Sequence, residues 1–181
     1  MSDPRYPIGK FVEDPDVTPE KRARCIADLE AIHLRVRSAT ANLTAAQLDT
    51  PYREGGWSLR QVVHHLADSH LQSYSRFRLA LTETEPTMPA YSVNDWAALP
   101  DATAGPIEPS LDLLDALHRR WAVLLRAMSP QDFRRTLKRP TGEVVTLDRL
   151  LQTYAWHGKH HTAQIQGFRE RMGWGAASKE R

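Results

Sequence analysis

The chain of 181 residues carries 24 lysines and arginines against 22 aspartates and glutamates, a formal net charge of +2, with 41% hydrophobic and 25% charged residues. That length supplies one well-buried core rather than two, and the ordinary globular composition argues against a disordered chain. A charge balance so near neutral lacks the basic stripe that phosphate contacts need, so no nucleic-acid partner is expected.

Residues 1–18 are proline-rich and aperiodic and read as an N-terminal arm lying on the domain through Tyr6, Ile8 and Phe11. The opening MSDPRYPIGKF lacks the basic start and apolar run of a secretion signal, and no stretch approaches the roughly 20 apolar residues of a membrane span, so a cytoplasmic location without a membrane partner is expected. Residues 19–175 form the single domain. Thr18, Pro19 and Glu20 combine an N-cap, a first-turn proline and an early carboxylate, and the apolar series Ile26, Leu29, Ile32, Val36 and Leu43 predicts a first helix to about Leu48. The lone Cys25 sits beside that stripe and reads as a buried or half-buried structural thiol.

DTPYREGGW is a loop, after which Ser58 caps a second helix through Leu59, Val62, Val63, Leu66, Phe77 and Leu81 to near Thr84. Five prolines fall between Glu85 and Pro109, a connection far longer than is usual between bundle neighbours and long enough to cross over or to carry functional groups. The third helix opens at Ser110 along Leu111, Leu114, Leu117, Trp121 and Leu125. KRPTGEVVTL permits a short extended pair around Thr141 and Gly142 but not a sheet. The fourth helix runs from about Thr146 to Met172. Four amphipathic helices without a convincing set of strands give an all-α fold, a four-helix bundle with a long connection between helices 2 and 3.

At about 100° per residue, His157 and His161 lie on the same face as Leu150, Tyr154, Ile165 and Phe168, so both imidazoles point at the core. Each unsatisfied buried nitrogen costs about 1–3 kcal/mol, and one divalent cation would satisfy both. His160 projects to the flank, as a neighbour of the site or a solvent-edge group. The second helix offers His64, His65 and His70. Helical phase slightly favours His70, while His65 lies at the stripe border beside Val62, Ser69 and Ser73.

The segments YPIGKF, QLDTPYREGGWSLRQVVHHLADSHLQSYSRFRLALTETEPT, SLDLLDALHRRWAVLL and YAWHGKHHTAQI resemble the YfiT-like branch of the DinB-like superfamily over nearly the whole chain. The resemblance implies a four-helix bundle of unusual helix order and one divalent ion per subunit, zinc or nickel, held by His65, His157 and His161. His64, His70 and His160 then become neighbours rather than ligands. It further implies transfer of a low-molecular-weight thiol, bacillithiol-like, to electrophilic substrates through a metal-bound thiolate. A metal-dependent hydrolase using activated water is the alternative, and a non-catalytic metal-binding stress protein is the alternative of another class. The implied partners are a small-molecule thiol, an electrophile and a second copy in a homodimer.

Other polar candidates surround this set. Asp68 is placed to accept an imidazole proton, and Gln164 stands where the branch often carries a histidine. Arg53 and Glu54 in the loop before helix 2 are placed to orient a charged substrate, and Trp57 and Trp96 to line a pocket mouth. The connection reads AYSVNDW, with Ser92 and Val93 where the branch commonly carries an acidic pair, which points to an altered substrate.

Overall fold

A computed structural model describes residues 3–175; the first two residues of the expected arm lie outside them. Helices α1 (Pro19–Glu30) and α2 (Ile32–Thr40) form one bent rod, α3 (Ala45–Leu48) is a single turn, and α4 (Leu59–Thr82) follows the loop. Two short helices, α5 (Val93–Ala97) and α6 (Pro100–Ala104), occupy the long connection before α7 (Glu108–Ala127) and α8 (Pro130–Phe133). A hairpin of β1 (Thr136–Lys138) and β2 (Val144–Thr146) leads into α9 (Leu147–Arg171).

Local chemistry sets these boundaries. Thr18 caps α1 by accepting from the Lys21 N–H, Ser58 and Gln61 form a reciprocal box at the start of α4, and Thr146 accepts from the Arg149 N–H at the start of α9. The first helix is shorter than its periodicity predicts. Its rod bends at Ala31 and stops at Thr40, just before Asn42 takes the left-handed conformation at φ 61° and turns the chain away. The extended pair is a true antiparallel hairpin, with Leu137 opposite Val145 and Gly142 in the turn at φ 87°. It remains two strands, and the architecture is a four-helix bundle.

The rod α1–α2 packs on α7 and α9, and α4 packs on the same two helices, so the first two long elements stand chiefly on opposite corners of the bundle. Leu29, Ile32, Leu66, Phe77, Leu114, Trp121, Leu125 and Ile165 are fully buried between them. Gly158 permits a close approach: a Cβ there would overlap the Ile32 side chain, so α2 and α9 meet with no side chain from α9 between them at that point. The arm lies along α9, where the Asp14 N–H donates to Gln152 and Phe11 packs on Trp156, while Tyr6 and Ile8 stay exposed. None of these helices is long and apolar enough to cross a membrane.

Candidate metal centre

Helices α4 and α9 are neighbours in the bundle, and this brings His65 of one against His157 and His161 of the other. One ring nitrogen from each lies within 4.8 Å of the other two. The rings meet edge to face, with centroids 5.2 Å apart for His65 and His157, 5.0 Å for His65 and His161, and 4.5 Å for His157 and His161. The Nε2 atoms of His65 and His157 are 3.2 Å apart.

Burial pushes the His65 imidazole down to about 4. Burial, and after it the neighbouring imidazoles, holds His157 and His161 well below the ordinary histidine value. All three are therefore neutral at pH 7 and offer lone pairs, the form in which histidine binds a divalent ion. Three convergent lone pairs facing one another repel unless a proton or a cation lies among them, so the donor set fits a metal of the kind that imidazole favours.

Groups behind the rings fix which nitrogen points inward. The Gln164 Oε1 atom lies 2.7 Å from His161 Nδ1 and can only accept, which puts the proton on Nδ1 and leaves Nε2 free. The Gln164 amide in turn donates to the Arg5 carbonyl at 3.2 Å and approaches the Tyr52 hydroxyl, tying the arm to the site. His157 Nδ1 is 3.2 Å from His70 Nε2, and His70 Nδ1 is 2.9 Å from His118 Nε2. The His33 ring centroid stands 6.3 Å from that of His118, and its Nε2 is 3.4 Å from Asp115. Each of α2, α4, α7 and α9 thus contributes an imidazole to one row across the core.

His70, which helical phase favours, lies behind His157 rather than beside it, because its Nε2 is turned to the His157 Nδ1. His64 is not brought to the trio: its Nδ1 is 2.7 Å from Ser110 Oγ on α7. The Asp68 carboxyl is pushed up by burial and by Asp101, and among the described residues no imidazole donates to it. His160 is buried at the flank rather than at a solvent edge. It stacks on Trp156 at 4.5 Å, and its Nδ1 has no partner among the described residues.

Trp57 packs on the His65 ring at 4.8 Å. Arg53 instead lies over Tyr52, Glu54 is exposed, and Trp96 packs on Tyr91. Cys25 is half-buried, in a separate surface cleft beside Asp28 and Lys159, and burial raises its thiol.

Two further histidines of the row, His118 and His33, escape the sequence patterns described above. A signal exists for His118, which sits on the stripe of Leu111, Leu114, Leu117 and Trp121 and is a polar group on a core face. His33 carries no such mark.

A cavity of about 380 Å³ opens on His65 and His157. The hairpin and the start of the connection roof it: the Met88 N–H donates to the Lys138 carbonyl, which places Met88, Tyr91 and Val93 over Ser69, Arg76 and Tyr154. No carboxylate is among its lining residues.

A family model described as the DinB superfamily matches residues 28–165. A protein of Bacillus mycoides (strain KBAB4) named "putative metal-dependent hydrolase" is 45% identical over 174 residues, covering 96% of this chain and 100% of that protein. One of Bacillus cereus (strain B4264) bearing the same description matches with equal identity and coverage. Among solved structures, YfiT from Bacillus subtilis, described as "a probable metal-dependent hydrolase with an unusual four-helix bundle topology", superposes with a TM-score of 0.93 at 43% identity over 95% of this chain and 99% of that one.

Proposed function

The chain belongs to the DinB superfamily, and from that membership we propose that it is a divalent-metal-dependent enzyme whose ion, zinc or nickel, is held by His65, His157 and His161. We propose further that it transfers a low-molecular-weight thiol to small electrophiles. The observation that carries the first part is the convergence of three neutral imidazoles, two of which, His65 and His157, line an adjoining cavity. Three protein ligands leave a coordination position free, which is the arrangement of reactive rather than structural sites. When bound, such an ion acts as a Lewis acid that lowers the pKa of a coordinated thiol or water.

The chain's own residues do the rest. Gln164 and His70 hold the two α9 imidazoles with their free nitrogens inward, and Trp57 covers the outer face of His65. Met88, Val93 and Leu150 supply an apolar wall that limits water around the nucleophile. The cavity lining supports thiol transfer over hydrolysis. Hydrolysis of an ester or amide needs a proton donor for the departing alcohol or amine, and no carboxylic acid lines the cavity to supply it. A thiol is acidic enough to lose its only proton on coordination.

Hydrolysis is the second reading, favoured by the descriptions of the relatives. Incubation of the metal-loaded protein with monochlorobimane and bacillithiol, cysteine or glutathione tests the choice: metal-dependent conjugate is expected. Cleavage of ester or amide substrates without thiol consumption would overturn transfer in favour of hydrolysis. Neither reaction would leave a metal-binding protein without turnover.

A further inference from the structure

The cavity over the histidines contains two arginines of different standing. Arg139 is ion-paired with Glu143 at 3.3 Å. Arg76 has no carboxylate within ion-pair distance among the described residues. Its Nη1 donates to the Tyr154 hydroxyl at 3.1 Å and its Nη2 to the Pro89 carbonyl at 3.4 Å, while Nε is buried with no partner. Two of five N–H groups are therefore used, and besides the buried Nε one further N–H is left over on each terminal nitrogen.

Tyr154 stands between Arg76 and the metal centre: its hydroxyl meets the guanidinium, and its ring packs 5.6 Å from the His157 ring. A full positive charge held in a part-buried wall, with no counter-ion among the described residues and with N–H groups left over on both terminal nitrogens, is suited to an anion from outside the chain. Arg76 follows His65 by eleven residues on α4, about 16 Å of rise, and both side chains line the same cavity.

We propose that Arg76 forms a carboxylate-binding subsite, so that the thiol brought to the histidine trio carries a carboxylate at its far end; this rests on the thiol reading above. Specificity would then come from the two ends of the cavity, sulfur at the imidazoles and carboxylate at Arg76, with Met88 and Val93 packing on the atoms between them.

The test uses the full chain loaded with cobalt(II) and two thiols that differ only at one end, 6-mercaptohexanoate and 6-mercaptohexanol, each titrated by the sulfur-to-cobalt charge-transfer band. The wild type is expected to bind the acid about tenfold more tightly than the alcohol, the gain of a charge-assisted hydrogen bond. In Arg76→Met that ratio should fall to about one, and in Arg76→Lys it should recover in part. Because each protein is judged by its own ratio, a general loss of fold does not imitate the effect. A wild-type ratio near one, or a wild-type ratio persisting in Arg76→Met, would overturn the subsite while leaving thiol binding intact. No band from either thiol on the cobalt-loaded protein would remove the thiol reading and the subsite with it.

Discussion

Two contacts behind the α9 imidazoles set the orientation of the site: Gln164 on His161 and His70 on His157. Removing either partner leaves the imidazole in place but frees its ring. Gln164→Leu and His70→Leu should each weaken zinc affinity roughly 10- to 100-fold, read by chelator competition, with helix content unchanged. Unchanged affinity would mean that packing alone orients the rings.

His118 makes a separate prediction, because burial holds its imidazole down to about 3. Its folded value lies below the unfolded one of about 6.5, so at pH values between them the unfolded chain takes up a proton that the folded chain refuses. The stabilisation is complete above pH 6.5 and is lost as pH falls toward 3. Wild type should therefore lose about 1.4 kcal/mol more per pH unit than His118→Gln between about pH 6 and 4 in denaturant titrations. Parallel pH profiles would contradict this. The facing of His157 and His161 was legible from their i, i+4 spacing, but which of His65 and His70 stands beside both was not. Phase tells which face a residue occupies, and both stand near the core face; only the direction of the ring separates them.

Element boundaries were legible where a side chain caps a long helix of the bundle, as Ser58 and Thr146 do for α4 and α9, but not at the short capped helices α3, α5 and α8. They were obscure where tertiary contacts decide. The division at Ala31 lies next to Ile32, whose side chain occupies the place that a Cβ on residue 158 would take, and no local signal marks that meeting. Three-residue strands carry pattern enough for a short extended pair but not for what holds it, namely Leu137 and Val145 in the core and the connection at Met88. Gly158→Ala gains about 1 kcal/mol of helix propensity but forces a methyl group into the stiff, buried Ile32. Net destabilisation of about 1–2 kcal/mol is expected from thermal unfolding, since overpacking costs more than the propensity returns. A stabilised variant would show that α2 yields freely.

For the whole molecule, the four long rods of the bundle and the long connection could be read from periodicity and proline content, though the short helices α5 and α6 within that connection could not. The diagonal placement of α1–α2 and α4 could not, because amphipathic stripes do not specify which neighbour they face. The cavity was equally hidden: its roof comes from the connection and the hairpin, segments without periodicity, and Arg76 looks in sequence like any helix-surface arginine. Because the proposed ligands come from two different helices, a bound ion would join α4 to α9 in the folded state only. Zinc at a free concentration about 100 times its Kd should then stabilise the fold by about 2.7 kcal/mol, seen as a raised melting temperature that a chelator reverses. Sedimentation of the full chain checks the expected homodimer, with a monomer at micromolar concentration contradicting it.

The most direct measurement is the metal content of purified protein after zinc loading and desalting, compared among wild type, His65→Ala, His157→Ala and His161→Ala, with circular dichroism to establish that each is folded. One ion per wild-type chain and loss of bound ion in all three folded variants is the predicted result. A wild type that retains no divalent ion, or a His161→Ala protein that retains a full equivalent, would contradict a centre built from these three imidazoles.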